Sequence, residues 1–384
     1  MTPTFPSRLP ATGTNVFSVM SALAAEHDAV NLGQGFPDFG CDPRLIELVN
    51  AAMLAGQNQY PPMPGVAPLR AAIAAKVAAS AGKRYDADTE ITVTSGASEA
   101  IMCAILCCVG PGDDVIVIEP AYDIYLPAIA LAGGAAVTVS MQLRENGYTV
   151  PWDRVAAAVT ARTRMIVINS PHNPTGAILR QSDLAALADI VRGTDILLLS
   201  DEVYEHMVYD GQQHCCAASH AVLAERAFVV SSFGKTYHVT GWKVGYVVAP
   251  AALTAQFRKV HQYNVFTVNT PMQYGIAAYM ADPQPYLGLS AFYQHKRDLF
   301  RAGLAGTRFT LLPADGTYFQ CVRYDGVSAL PELEFAKWLT TEIKVAAIPL
   351  SPFYAAGKEA GIVRFCFAKQ DATLALALQR LARL

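Results

Sequence analysis

The chain has 384 residues, with 29 Lys and Arg against 32 Asp and Glu, a formal charge of −3 with His neutral. Hydrophobic residues make up 52% and charged residues only 16%, which excludes a disordered chain, while 27 Gly and 23 Pro are too few for a collagen-like or low-complexity one. The acidic balance offers no basic footprint for nucleic acid, and the longest apolar run, 100–109, is about half of the roughly 20 residues a membrane span needs.

The opening M-T-P-T-F-P-S-R-L-P has no charged segment followed by an apolar one. No secretory signal is expected, and the protein reads as cytoplasmic. Turn signals then crowd 31–68. Beyond them, short β-branched runs alternate with Ala- and Leu-rich stretches. The pattern predicts strands at 91–94, 115–119, 165–169, 196–200, 227–231 and 245–249, and helices at 98–109, 122–132, 182–192 and 252–263. Strands apolar on both faces that alternate with helices predict an α/β fold, with a mostly parallel sheet covered on both sides. A-D-P-Q-P at 281–285 breaks a helix. The tail after it predicts long helices and short strands at 345–348 and 363–367. A large sheet domain is expected over 45–282, and a smaller one from the two chain ends, 1–44 and 283–384.

Polar residues gather where the predicted strands end: T-S-G-A-S-E at 94–99, E-P-A-Y-D at 119–123, N-S-P-H-N-P-T-G at 169–176, S-D-E-V-Y-E at 200–205 and S-S-F-G-K-T at 231–236. In open α/β sheets, ligands bind outside the carboxyl ends of the strands. Five such loops with different chemistry point to one composite site.

Each residue also has a plainer explanation. The Ser95–Ser98 turn opens a helix whose free N–H groups suit a phosphate, or it is an ordinary Ser cap with Glu99 favouring the dipole. Lys235 and Lys243 are either solvated or functional; a buried Lys loses charge and attacks carbonyls to form a Schiff base. Asp201 ends the apolar run I-L-L-L-S and needs a partner, either the following turn or a protonated pyridine nitrogen. Tyr204 lies three residues on, on the same side if the chain turns helically. Alternation across 362–367 places Arg364 with Ile362 and Cys366 on one face. A buried guanidinium there requires an anion, which is either an internal Asp or Glu or a substrate carboxylate held bidentately.

The eight Cys form no C-x-x-C pair and read as small buried hydrophobes in a reducing compartment. His214, Cys215, Cys216 and His220 crowd together, but adjacent cysteines point apart on a strand and about 100° apart on a helix. No metal site is expected.

Taken together, these motifs resemble the fold-type I pyridoxal-phosphate aminotransferases over almost the whole chain. The resemblance rests on N-L-G-Q-G-F-P-D-F at 31–39, N-Q-Y at 58–60, S-P-H-N-P-T-G at 170–176, S-D-E-V-Y at 200–204 and S-S-F-G-K-T-Y-H-V-T-G-W-K-V-G-Y at 231–246. Within that family the chain is most similar to the methionine aminotransferases and their kynurenine/glutamine transaminase relatives. The resemblance implies a large domain with a mostly parallel seven-stranded sheet, a small α/β domain, pyridoxal 5'-phosphate as cofactor, and a homodimer with shared active sites. It implies that Lys235 carries the cofactor as a Schiff base and then acts as acid and base, and that Asp201 holds the ring nitrogen. Asn173 and Tyr204 would bond the ring hydroxyl, and Tyr122 would stack on the ring. Gly96, Ala97, Ser98, Ser232 and Lys243 would hold the phosphate, with Tyr60 reaching the phosphate of the neighbouring subunit. Many members carry Arg at the Lys243 position; Lys offers a point charge instead. Arg364, Asn173 and the Gly35 backbone would hold the substrate carboxylate, and Phe17, Tyr125 and Phe266 would line the side-chain pocket.

The expected activity is ping-pong transfer of an amino group from an L-amino acid with an apolar or aromatic side chain to a 2-oxo acid. Methionine comes first, with phenylalanine, tyrosine, kynurenine or glutamine as further donors. A C–S β-lyase acting on cysteine conjugates is the alternative on the same scaffold. A regulatory cofactor-binding module would need an appended DNA-binding domain, for which the chain has no spare basic segment.

Overall fold

The computed structural model describes residues 7–9, 13 and 15–384. Most of the opening stretch behind the expectation of no secretory signal therefore lies outside the described residues. Among the described residues, no helix is long and apolar enough to cross a membrane.

Seven strands form the central sheet: β1 Ile91–Thr94, β2 Asp114–Glu119, β3 Ala135–Ser140, β4 Thr163–Asn169, β5 Leu197–Asp201, β6 Ala227–Ser232 and β7 Gly245–Val248. Their order is β1-β7-β6-β5-β4-β2-β3. All neighbours are parallel except β7, which runs antiparallel to both β1 and β6. The carboxyl ends of β1, β4, β5 and β6 consequently meet at one edge of the sheet.

The apolar runs bury both faces. Ile116, Ile118, Ile166, Ile168 and Leu198 pack into one core layer. The residues between them, Val115, Val117, Met165, Val167 and Leu199, pack into the other. This is the period-2 consequence of a sheet with helices on both sides.

β3 was not among the predicted strands. It is an edge strand, exposed at Ala135 and Ala136, and small half-solvated residues carry little apolar signal. The predicted helix at 122–132 starts at Tyr125 instead, because Tyr122 and Asp123 belong to a loop facing the site. It ends at Gly133, whose φ of 87° accepts the left-handed cap. The expected strand at 345–348 is split in two. Val345–Ala346 pairs parallel with Val30–Asn31, whereas Ile348–Pro349 pairs antiparallel with Ile362–Cys366. The tail thus builds a second, four-stranded sheet with Phe319–Arg323 at its centre. All eight cysteines are free.

Candidate active site

A cavity of about 460 Å³ opens at the edge where the strand ends meet, lined by all five polar loops of the central sheet and by Gln34, Gly35, Phe319 and Arg364 from the chain ends. Strand register sets its floor, since Asn169 lies opposite Asp201 across β4 and β5. The Asn169 side chain donates to the Asp201 carbonyl at 2.8 Å and accepts the Asn173 N–H at 2.8 Å. One amide therefore fixes the backbone on which Asn173 stands.

Asp201 is 3% exposed. Its Oδ2 accepts from the Tyr125 hydroxyl at 2.6 Å, and its Oδ1 from the Val203 N–H at 3.3 Å. Burial pushes its pKa up to about 6, against the downward pull of these two hydrogen bonds. The bland expectation that Asp201 caps the following turn thus holds for one oxygen. Tyr125, expected in the side-chain pocket, does not line the cavity; it lies beneath it as the partner of Asp201.

Lys235 follows β6 on the one-turn helix Phe233–Thr236, which Ser232 caps by accepting the Gly234 N–H at 3.2 Å. Its Nζ donates to the Gly35 carbonyl and to the Tyr318 hydroxyl, both at 2.9 Å. Burial, followed by the nearby Arg364 and Lys243 charges, lowers its pKa to about 8. A larger share of neutral amine is therefore present near neutral pH than on a free Lys. Tyr204 packs its ring against Tyr318 at 5.2 Å, and burial holds its phenol well above the usual range. Burial likewise raises Tyr122 to about 12.

The helix Gly96–Cys108 begins two residues before its predicted start, with Gly96 at φ 72°. Ser95 makes no side-chain cap; Glu99 reaches back to its N–H at 3.1 Å instead. Gly96, Ala97 and Ser98, in the first turn of this helix, line the cavity together with Ser232, Thr240 and Lys243. Lys243 lies so near that a Cβ on Gly96 would come within 3.3 Å of its Nζ. This is a helix N-terminus with an adjacent cation, the arrangement that holds a phosphate.

Arg364 is 1% exposed. It donates to Asn173 Oδ1 at 2.7 Å and to the Gly33 carbonyl at 3.1 Å, with its guanidinium 3.8 Å from the Phe319 ring centroid. Its Nε has no partner, and no carboxylate pairs with it among the described residues. The internal Asp or Glu that would have explained it plainly is not found there. Gly35 offers its carbonyl to Lys235, and Phe319 Cζ would lie 3.0 Å from any Cβ at that position.

Phe17 lines the cavity as expected. Tyr60 and Phe266 do not. They are 83% and 43% exposed and pack edge-to-face at 5.4 Å, outside the cavity of their own chain. His214 and Cys216 approach Glu202, with ligand atoms within 4.8 Å of one another. The carboxylate already accepts from Ser200 Oγ at 2.7 Å and the Ala217 N–H at 2.9 Å, and meets His214 Nε2 at 2.7 Å. Those hydrogen bonds are sufficient reason for the cluster. Tyr318, Asn15 and Thr240 were not foreseen at the site, and Asp123 only as the end of the polar loop at 119–123. For Tyr318, a turn signal ahead of an alternating run, A-D-G-T-Y-F at 314–319, is the only mark in the sequence.

A family model described as aminotransferase class I and II matches residues 27–381. The chain is 49% identical over 379 residues to the methionine aminotransferase of Escherichia coli strain K12, covering 98% of each. It is 42% identical over 386 residues to a probable N-succinyldiaminopimelate aminotransferase of Mycobacterium tuberculosis, covering 98% of this chain and 97% of that one. A solved Escherichia coli structure described as having a methionine aminotransferase function superposes with a TM-score of 0.97 at 48% identity, covering 100% of both chains.

Proposed function

Because the chain belongs to the class I and II aminotransferase family and is an aminotransferase with the fold-type I architecture, we propose that it uses pyridoxal 5'-phosphate to move the amino group of an apolar or aromatic L-amino acid, methionine first, to a 2-oxo acid. The observation that carries this proposal is the company Lys235 keeps. A buried amine with its pKa drawn down to about 8 shares one cavity with a buried carboxylate, a helix N-terminus beside a lysine, and an arginine without an acidic partner.

The donor set fits the cofactor. Gly96, Ala97, Ser98, Ser232 and Lys243 would take its phosphate, Asp201 its ring nitrogen, Asn173 and Tyr204 its ring hydroxyl, and Tyr122 the ring face. When bound, the cofactor supplies an electron sink for charge developing at the substrate Cα. Asp201 would keep the ring nitrogen protonated. Lys235 would hold the cofactor at rest and, once the substrate amine displaces it, its freed amine would take the proton from the substrate Cα and return it one position along. Arg364 binds the α-carboxylate through its planar guanidinium, which lies 3.8 Å from the Phe319 ring centroid and donates to Asn173 Oδ1. Phe17 gives the side-chain pocket an aromatic wall.

We place the cofactor domain at 45–282 and the smaller one at 1–44 and 283–384. The exposed Tyr60–Phe266 pair suits a homodimer in which each aromatic serves the partner's cavity. The test is spectral titration of the purified holoenzyme with the twenty amino acids, followed by a 2-oxo acid. Methionine and aromatic amino acids should convert the cofactor band, and the 2-oxo acid should restore it. Pyruvate and ammonia formed from cysteine conjugates without any acceptor would instead mark a C–S lyase.

A further inference from the structure

A second cavity, of about 370 Å³, shares a wall with the first, since Asn169 lines both. Its volume falls within the range of small-molecule sites, about 300–1,000 Å³. The proposed reaction makes no use of it. Buried Ile118, Met141, Ile168 and Leu179 give it an apolar lining.

His172 belongs to the same lining and is 5% exposed. Burial lowers its pKa to about 4, so at neutral pH the imidazole carries one proton. Its Nδ1 meets Thr175 Oγ1 at 2.8 Å. Thr175 is 1% exposed, and its hydroxyl oxygen already accepts the Ala177 N–H at 3.3 Å. The hydroxyl proton has no other acceptor among the described residues. Thr175 therefore donates to Nδ1, and the ring proton sits on Nε2. That N–H has no partner among the described residues. It is also not sealed from the surface, as the unpartnered ring nitrogens of His206, His214, His220 and His238 are. A donor in an apolar cavity calls for an acceptor, from water or from a ligand.

The charged lining residues are Arg180, Asp183 and Asp315. Asp183 is already taken up, accepting Trp152 Nε1–H and the Arg180 N–H, both at 2.8 Å. One cation and one carboxylate remain, so a charged ligand of either sign meets a like charge. We infer that this cavity is a second binding site, for a small uncharged apolar molecule whose carbonyl oxygen accepts from His172 Nε2–H. The site does not depend on the reaction proposed for the first cavity.

The test titrates the holoenzyme calorimetrically with acetophenone. Saturating 3-phenylpropanoate, a carboxylate suited to Arg364, occupies the first cavity throughout. Acetophenone should bind once per chain with a Kd of about 1 mM or tighter. Indole, similar in size but with a donor and no oxygen acceptor, should bind about tenfold more weakly. His172→Phe keeps an aromatic ring and removes the donor; it should weaken acetophenone about tenfold and leave indole nearly unchanged. Ile178→Trp fills the cavity from a half-buried lining position and leaves His172 in place. It should abolish acetophenone binding, and it keeps the test decisive if His172→Phe does not fold. Absence of acetophenone binding would mean that the cavity holds water only, and overturns the inference. So does binding that 3-phenylpropanoate displaces, an equal affinity for indole, or an affinity unmoved by the substitutions.

Discussion

The Tyr125 hydroxyl should set the pH at which Asp201 can serve a ring nitrogen. The two groups meet at 2.6 Å in a fully buried setting. A hydrogen bond to a charged group contributes about 1.5–3 kcal/mol, and one pKa unit corresponds to about 1.4 kcal/mol. Tyr125→Phe removes the bond and keeps the ring in its packing. It should therefore raise Asp201 from about 6 by about one to two units. The sign follows from which form is useful: the ionised carboxylate pairs with a protonated ring nitrogen, so its contribution is present above the Asp201 pKa and lost as pH falls through it. Wild-type apoprotein should hold the cofactor with an affinity that drops below about pH 6, whereas the variant should lose affinity already between about pH 7 and 8. Cofactor titration of both apoproteins from pH 5 to 9 measures the two midpoints. An unmoved or lowered midpoint would show that Tyr125 does not stabilise the Asp201 charge.

Three further outcomes follow from the same geometry. Tyr318→Phe deletes one of the two acceptors of the Lys235 Nζ protons and should lower the Lys235 midpoint from about 8 by up to about one unit, read as the pH dependence of amine labelling in the apoprotein. Arg364→Lys exchanges a planar fork on Phe319 for a point charge and should raise KM for donor and acceptor together, by about tenfold or more. Gly96→Ala forces a side chain into φ 72° against Lys243 and should weaken cofactor affinity by about tenfold, with a smaller effect on the KM of the amino acid.

The sheet was legible because its strands are apolar on both faces, and only helices on both sides bury such runs. Lys235, Asp201 and Arg364 were legible for the converse reason, as charges adjoining apolar strands. The edge strand Ala135–Ser140 was missed because half-solvated Ala, Val and Thr carry no such contrast. Tyr125 was placed in the wrong role, since nothing in its local pattern tells a buried phenol that lines a pocket from one that supports a carboxylate 76 residues away.

The sequence by itself determined the periodicity, the order of the polar loops and the chemical types at the strand ends, all of which are properties of short segments. Tertiary structure alone decided which groups meet. The Lys235 amine faces a tyrosine 83 residues away, Arg364 faces Asn173 rather than an acid, and Asp123 is bound by Asn15. A polar group taken out of water must find a partner, but several distant residues of the right type can satisfy that requirement, and strand register and packing choose among them. The low charged fraction takes its meaning there: in a chain with few charges, those left without acidic partners in one cavity are the ones that await a ligand.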